Sequence, residues 1–142
     1  MAKRASRVII DTNLWISFLI TKDLKGIDGG LKTGRVKVIF SIELMEEFLS
    51  VANRPKFKKY FSKEDLEKVL DLFDVYGELV PVESELKLCR DPKDNFLLSL
   101  ALDSKADYLI TGDSDILELK RVRNTKIITI VNYLKRIGRH AR

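Results

Sequence analysis

Five short apolar runs rich in β-branched residues recur along this chain, each separated from the next by segments carrying helix signals. They are Val8-Ile9-Ile10, Val36 to Phe40, Leu79-Val80-Pro81-Val82, Tyr108-Leu109-Ile110 and Ile127-Ile128-Thr129-Ile130. Runs that are apolar without alternation suit strands buried on both faces. Strands that alternate with helices pair in parallel through crossovers. The expected fold is therefore α/β, with a mainly parallel central sheet of about five strands covered by helices on both faces. Pro81 marks the third run as an edge strand, because proline cannot donate to a ladder.

The helices carry their own boundaries. Asn13 to Leu19 is apolar, with Trp15 and Phe18 expected in the core, and Asp23 to Leu31 forms a helical segment broken by glycines. Gly29-Gly30 and Gly34 are expected in loops. Ser41 is the natural N-cap of a helix to about Ala52, whose apolar stripe is Met45, Phe48, Leu49 and Ala52. Arg54-Pro55 ends it, and a polar connection follows. Ser62 with Asp65 forms a capping box for a helix to about Tyr76, ended by Gly77. Asp91-Pro92 opens another, with Asp91 as cap, Pro92 in the first turn and Phe96, Leu97, Leu100 and Ala101 toward the core. A short helix over Ile116 to Leu119 and final helical turns from Val131 to Ile137 complete the order β-α-β-α-α-β-α-β-α-β-α.

The chain of 142 residues is expected to form one domain, 1–142, with flexible basic ends at about 1–6 and 138–142. Its 26 basic and 21 acidic residues leave a net charge of +5, which favours polyanions without specifying any. Lys3, Arg4, Arg7, Lys135, Arg136, Arg139 and Arg142 read equally as solubilising charge at the ends. Interior clusters at Lys32, Arg35 and Lys37, and at Arg54, Lys56, Lys58 and Lys59, fit the lining of a groove better. No apolar stretch reaches the roughly 18 residues of a membrane span, and no secretory signal is evident, so a cytoplasmic location is expected.

Histidine and cysteine chemistry have little to work with. His140 is the sole histidine and lies in a basic tail, and Cys89 is the sole cysteine. A histidine-based ribonuclease, a Ser-His-Asp hydrolase and a thiolate zinc site are all disfavoured. No glycine-rich dinucleotide fingerprint or Walker A loop is present, which argues against a nucleotide cofactor.

Carboxylates remain. Ligands of open parallel sheets bind at the carboxyl ends of strands. Asp11 follows the first run, and Asp113 and Asp115 follow the fourth. Asp94 stands in the first turn of the helix leading to that strand, and Glu46 and Glu47 lie in the helix after the second. Gathered at one edge, such acids would repel one another unless a cation neutralised them, and oxygen ligands suit Mg²⁺ or Mn²⁺. Each acid also has a structural reading: Asp11, Asp113 and Asp115 as helix caps or turn residues, Asp94 as a first-turn acid beside the helix dipole, and Glu46 or Glu47 as solvated surface. Helical spacing does not choose between the two glutamates.

Together, Val8-Ile9-Ile10-Asp11-Thr12-Asn13, the helix around Glu47, Arg54-Pro55-Lys56-Phe57, Asp91-Pro92-Lys93-Asp94-Asn95 and Leu109-Ile110-Thr111-Gly112-Asp113-Ser114-Asp115 resemble the PIN domain. The likeness is to its small prokaryotic branch, which includes toxin components of toxin–antitoxin systems. It implies a three-layer α/β/α Rossmann-like sandwich and a Mg²⁺- or Mn²⁺-dependent ribonuclease. By this resemblance the catalytic acids fall on Asp11, Glu47, Asp94 and Asp113, with Asp11, Asp94, Asp113 and Asp115 toward the metal. Asn13 and Thr111 match supporting polar residues, and Arg54, Lys56 and Lys58 would hold the RNA backbone. A homodimer and a small antitoxin partner are further implications. The alternatives are a metal-dependent DNA or flap nuclease, and a non-catalytic RNA- or partner-binding module of the same fold. A phosphotransfer receiver or a haloacid-dehalogenase-like phosphatase fits less well, because Asp11 is followed by Thr12-Asn13 where those folds need another acid.

Overall fold

The computed structural model describes residues 4–140, with side chains to residue 137. The elements run β1 (Ser6–Ile10), α1 (Thr12–Thr21), α2 (Ile27–Lys32), β2 (Val36–Phe40), α3 (Ile42–Ala52), α4 (Pro55–Lys58) and α5 (Lys63–Tyr76). They continue as β3 (Gly77–Leu79), α6 (Pro92–Ser104), β4 (Tyr108–Ile110), α7 (Ser114–Leu117), β5 (Arg121–Val122), β6 (Thr125–Ile128) and α8 (Ile130–His140). Six strands form one sheet in the order β3-β2-β1-β4-β6-β5, one more than the apolar runs suggest. All neighbours are parallel except β5 and β6, which pair antiparallel.

Alternation along the strands divides the core in two. Val8, Ile10, Val36, Val38 and Ile110 pack on one face with Trp15, Phe18, Leu31, Phe48, Val69, Phe73 and Tyr133. Ile9, Ile39, Leu109 and Ile127 pack on the other with Leu97, Leu98, Leu100, Ala101 and Ile116. The sheet is thus the middle of three layers, with α1, α2, α5 and α8 on one side and α6 and α7 on the other. Burying a large aliphatic side chain stabilises a fold by roughly 1.5–3 kcal/mol, so strands apolar on both faces anchor this domain.

Several local expectations shift. β3 begins at Gly77, two residues before the apolar run, and Pro81 lies beyond the paired residues. Gly77 passes directly from α5 into the strand, and a Cβ there would approach Phe40 to 2.7 Å. Pro55 does not lead into a polar connection but opens α4, where the missing N–H of a first-turn proline goes unneeded. Gly29 and Gly30 lie inside α2 rather than in a loop. A Cβ on Gly30 would come within 2.6 Å of Val36, so glycine lets α2 pack closely on β2. α7 begins two residues earlier than expected because Asp113 caps it, and β6 likewise begins at Thr125.

Arg7 is structural rather than solubilising. Its guanidinium forms a bidentate pair with Glu78 at 2.8 and 3.3 Å and donates to the Ser104 carbonyl at 2.6 Å, tying β1 to β3 and to the end of α6. Arg4 pairs with Asp107 at 2.7 Å, and Ser6 already belongs to β1. Of the ends expected to be flexible, residues 1–3 and 141–142 and the side chains of 138–140, including Arg139 and His140, lie outside the described residues. Among the described residues no helix is long and apolar enough to cross a membrane.

Candidate active site

Crossovers leave β1 toward β2 and β3 on one side, while β4 and β6 lie on the other. The sheet therefore changes winding direction between β1 and β4, and the crevice at their carboxyl ends is where such folds bind ligands. Asp11 and Thr111 are the next residues after these two strands, and the Asp11 N–H donates to the Ile110 carbonyl at 3.0 Å.

A short hydrogen-bond chain organises this edge. The buried Thr111 hydroxyl donates to Asp11 Oδ2 at 2.7 Å and accepts from the Asp113 N–H at 3.1 Å. Asp11, itself 8% exposed, uses Oδ1 to accept from the Asn13 N–H at 3.2 Å, capping α1. Asp113 Oδ1 caps α7 by accepting from the N–H groups of Asp115 and Ile116 at 2.8 and 3.3 Å. Both acids therefore serve as helix caps, and each cap uses only one carboxylate oxygen. Asn13 contributes through its backbone, and its side chain is exposed.

Asp94 is the electrostatically unusual group. It is 9% exposed in the first turn of α6, and no donor reaches its carboxylate among the described residues. Its pKa is pushed up to about 6, chiefly by burial and then by the charges of Asp113, Asp91, Asp11 and Asp115. Those four carboxylates are therefore its neighbours, and Asp91 joins the set although the sequence suggests only a cap. The i, i+3 spacing of Asp91 and Asp94 was the available signal. Burial first, then Asp94, Asp115, Asp113 and Asp91, also push the Cys89 thiol up, so it stays protonated at this edge.

The two glutamates separate here. Glu46 is exposed, whereas Glu47 is partly buried and its Oε1 lies 3.6 Å from Lys93 Nζ, on the residue next to Asp94. Asp115 is exposed at the rim. Arg54, Lys56 and Lys58 are exposed on and beside α4, and no hydrogen bond or ion pair joins them to the acids.

The segment leading into α6 is held by three polar residues of that helix. Asn95, Ser99 and Asp103 recur every four residues along one face of α6. Asn95 accepts from the N–H groups of Leu88 and Cys89 and donates to the Cys89 carbonyl, while the Ser99 hydroxyl accepts from Leu86. Asp103 accepts from the Glu83 and Ser84 N–H groups and the Ser84 hydroxyl, and these bonds hold its carboxyl below the usual range. This ladder secures the irregular stretch between β3 and Asp91, and with it the approach to Asp94.

The donor set suits a hard cation in its chemistry. A cation would relieve the carboxylate repulsion that adds to burial in raising Asp94, and the carboxylates offer it oxygen ligands. Among the described residues, however, no three His, Cys, Asp or Glu side chains stand close enough to hold one ion as they are. An ion bound here would have to draw much of its coordination from water, as Mg²⁺ does.

The chain is 32% identical over 129 residues to the uncharacterized protein MJ1680 of Methanocaldococcus jannaschii, a match covering 84% of this chain and 79% of that one. A family model for the PIN domain, a nuclease-type fold that is usually metal-dependent, matches residues 7–115. That span carries Asp11, Glu47, Asp94, Asp113 and Asp115, and this chain belongs to the PIN domain family.

Proposed function

We propose that this chain is an endoribonuclease that hydrolyses phosphodiester bonds of single-stranded RNA with Mg²⁺ or Mn²⁺. The observation that carries the reading is the buried Asp94 carboxyl, raised to about 6 among Asp11, Asp91, Asp113 and Asp115 at the winding switch of the sheet. Asp11, Asp94 and Asp113 would hold the ion directly or through water, with Asp115 at the rim. The ion supplies charge neutralisation and activation of water when bound. Thr111 keeps Asp11 directed by donating to Oδ2, which leaves the second lone pair of that oxygen for water or metal. Glu47, beside the Lys93 ammonium, is the residue proposed to steer the attacking water and accept its proton. Water oxygen joins phosphorus, the bond from phosphorus to the 3′ oxygen breaks, and that oxygen takes up a proton. The products carry 5′-phosphate and 3′-hydroxyl ends. Arg54, Lys56 and Lys58 are the cations proposed to hold the RNA backbone, and a small antitoxin and a second copy of the chain are the proposed protein partners.

The test is cleavage of labelled single-stranded RNA, single-stranded DNA and flap DNA across Mg²⁺ and Mn²⁺ concentrations. RNA cleavage that EDTA abolishes and either ion restores is the expected result. Cleavage of DNA alone would replace the substrate, and RNA binding without turnover in any metal would make the chain a binding module.

The same assay separates the glutamates. Glu47→Gln should slow cleavage at least about a hundredfold, the lower end of the usual range for a proton-transfer group, while Glu46→Gln leaves it within about twofold. Equal effects of the two variants would remove Glu47 from the mechanism.

A further inference from the structure

A second, chemically opposite site lies where the strands begin. A cavity of about 630 Å³ opens beside Ser6 at the start of β1, Tyr108 at the start of β4 and the loop that enters β2. Arg4, Arg35, Arg121, Lys126 and Arg136 line it, facing one carboxylate, Asp107, so four positive charges are in excess. Arg4 takes that carboxylate at 2.7 Å. Among the described residues the other four cations form no ion pair. Unpaired like charges around one concavity repel, and a bound polyanion relieves them.

Three features favour nucleic acid over an acidic protein segment. Four of the five cations are arginines, whose forked guanidinium donors match phosphate oxygens in bidentate pairs. The Arg136 guanidinium lies 6.0 Å from the centre of the partly exposed Tyr108 ring, so a planar cation and an aromatic ring, both groups that nucleic-acid sites use, border the pocket together. The volume admits a whole nucleotide unit rather than one carboxylate. Three of the five cations, Arg121, Lys126 and Arg136, also lie beyond residue 115, outside the span matched by the family model.

We propose that this basic pocket binds the phosphates of single-stranded nucleic acid, as a second contact separate from the acidic edge. β1 runs five residues between the two sites, a separation of roughly 16 Å. A dinucleotide with its single phosphodiester cannot occupy both, whereas a longer strand wraps from one to the other. The ligand class rests on the nuclease reading, but the pocket's binding is measurable without turnover.

The test combines Arg35→Gln, Arg121→Gln and Lys126→Gln in the full chain and measures binding of a labelled single-stranded RNA 20-mer by anisotropy, in EDTA, across a salt series. Affinity should fall at least about tenfold, and the slope of log affinity against log salt should flatten by about two, at ~0.7 per phosphate contact. Removing three exposed cations elsewhere, with Lys63→Gln, Lys68→Gln and Lys87→Gln, should have little effect. Equal loss in that control, or no loss in the pocket variant, overturns the proposal. So does polyglutamate of matched length competing as well as RNA, because the ligand would then be an acidic protein segment. If circular dichroism shows the triple variant unfolded, Arg35→Gln and Lys126→Gln singly replace it, each with an expected loss of about threefold. Cleavage of a dinucleotide should be unchanged in the pocket variant. A wild type that cleaves no RNA but loses RNA binding on pocket substitution would sink the nuclease reading and leave the pocket standing.

Discussion

Asp11→Asn should fold normally and cleave RNA at least about a hundredfold more slowly than wild type at saturating Mg²⁺, the scale of loss when a group acting on developing charge is removed. The carboxylate is buried, held between the Thr111 hydroxyl and the Asn13 N–H, and directed into the crevice between β1 and β4. Asparagine has nearly the same shape. Its oxygen can still accept from Asn13, and its amide can donate to Thr111 Oγ1 once the Thr111 hydroxyl turns away, so the side chain keeps both neighbours. What disappears is the negative charge and one oxygen ligand. Melting within a few degrees of wild type, together with the loss in kcat, would assign the effect to chemistry rather than folding. Equal cleavage by the two proteins at matched purity would show the activity to be a contaminant's and would end the assignment.

The parts of the fold legible in the sequence are those with local causes. Val8-Ile9-Ile10 is apolar on both faces because the strand is buried on both. Ser62 with Asp65 and Asp91 with Pro92 mark helix starts because capping is decided within four residues. The β5–β6 hairpin has no local signal because its turn is Arg123-Asn124, without the usual glycine. Arg123 holds φ at 53°, a left-handed conformation that arginine seldom adopts unaided. β3 begins before the apolar run because pairing with β2 sets its register, a long-range choice invisible to local pattern.

The same division runs through the candidate site. Strand ends pointed to Asp11 and Asp113 because the first few residues after a buried parallel strand emerge at the crevice. Nothing in helical spacing separated Glu46 from Glu47. The separation comes from Lys93, which belongs to another helix 46 positions along the chain. Arg4 and Arg136 likewise read as end charges until the sheet brings them round one cavity with Arg35, Arg121 and Lys126. Tertiary placement, rather than composition, turns a diffuse excess of +5 into an acidic edge and a basic pocket at opposite ends of β1.

Asp94→Asn should make the metal-free protein more stable at pH 8 while removing most of its RNA cleavage. In the unfolded chain this carboxyl titrates near its ordinary value of 3.8, and in the folded protein near 6. Between those values the native state binds more protons than the unfolded state, so stability falls as pH rises through this window and levels off above about 7. The full difference corresponds to about 3 kcal/mol, at ~1.4 kcal/mol for each pKa unit. Asparagine removes the repulsion from Asp113, Asp91, Asp11 and Asp115 but keeps a buried polar group, so the gain at pH 8 should be nearer ~1–2 kcal/mol. Melting curves in EDTA from pH 4 to 8 measure it: wild type should lose stability across that range relative to the variant, and the two curves should converge toward pH 4. Mg²⁺ should then raise the wild-type melting temperature at pH 8 and do so progressively less as pH falls through 6, because protons and metal compete for one carboxylate. The variant should respond weakly at every pH. Parallel melting curves for the two proteins would mean that Asp94 carries no strained charge. An equal Mg²⁺ response in both would place the ion elsewhere.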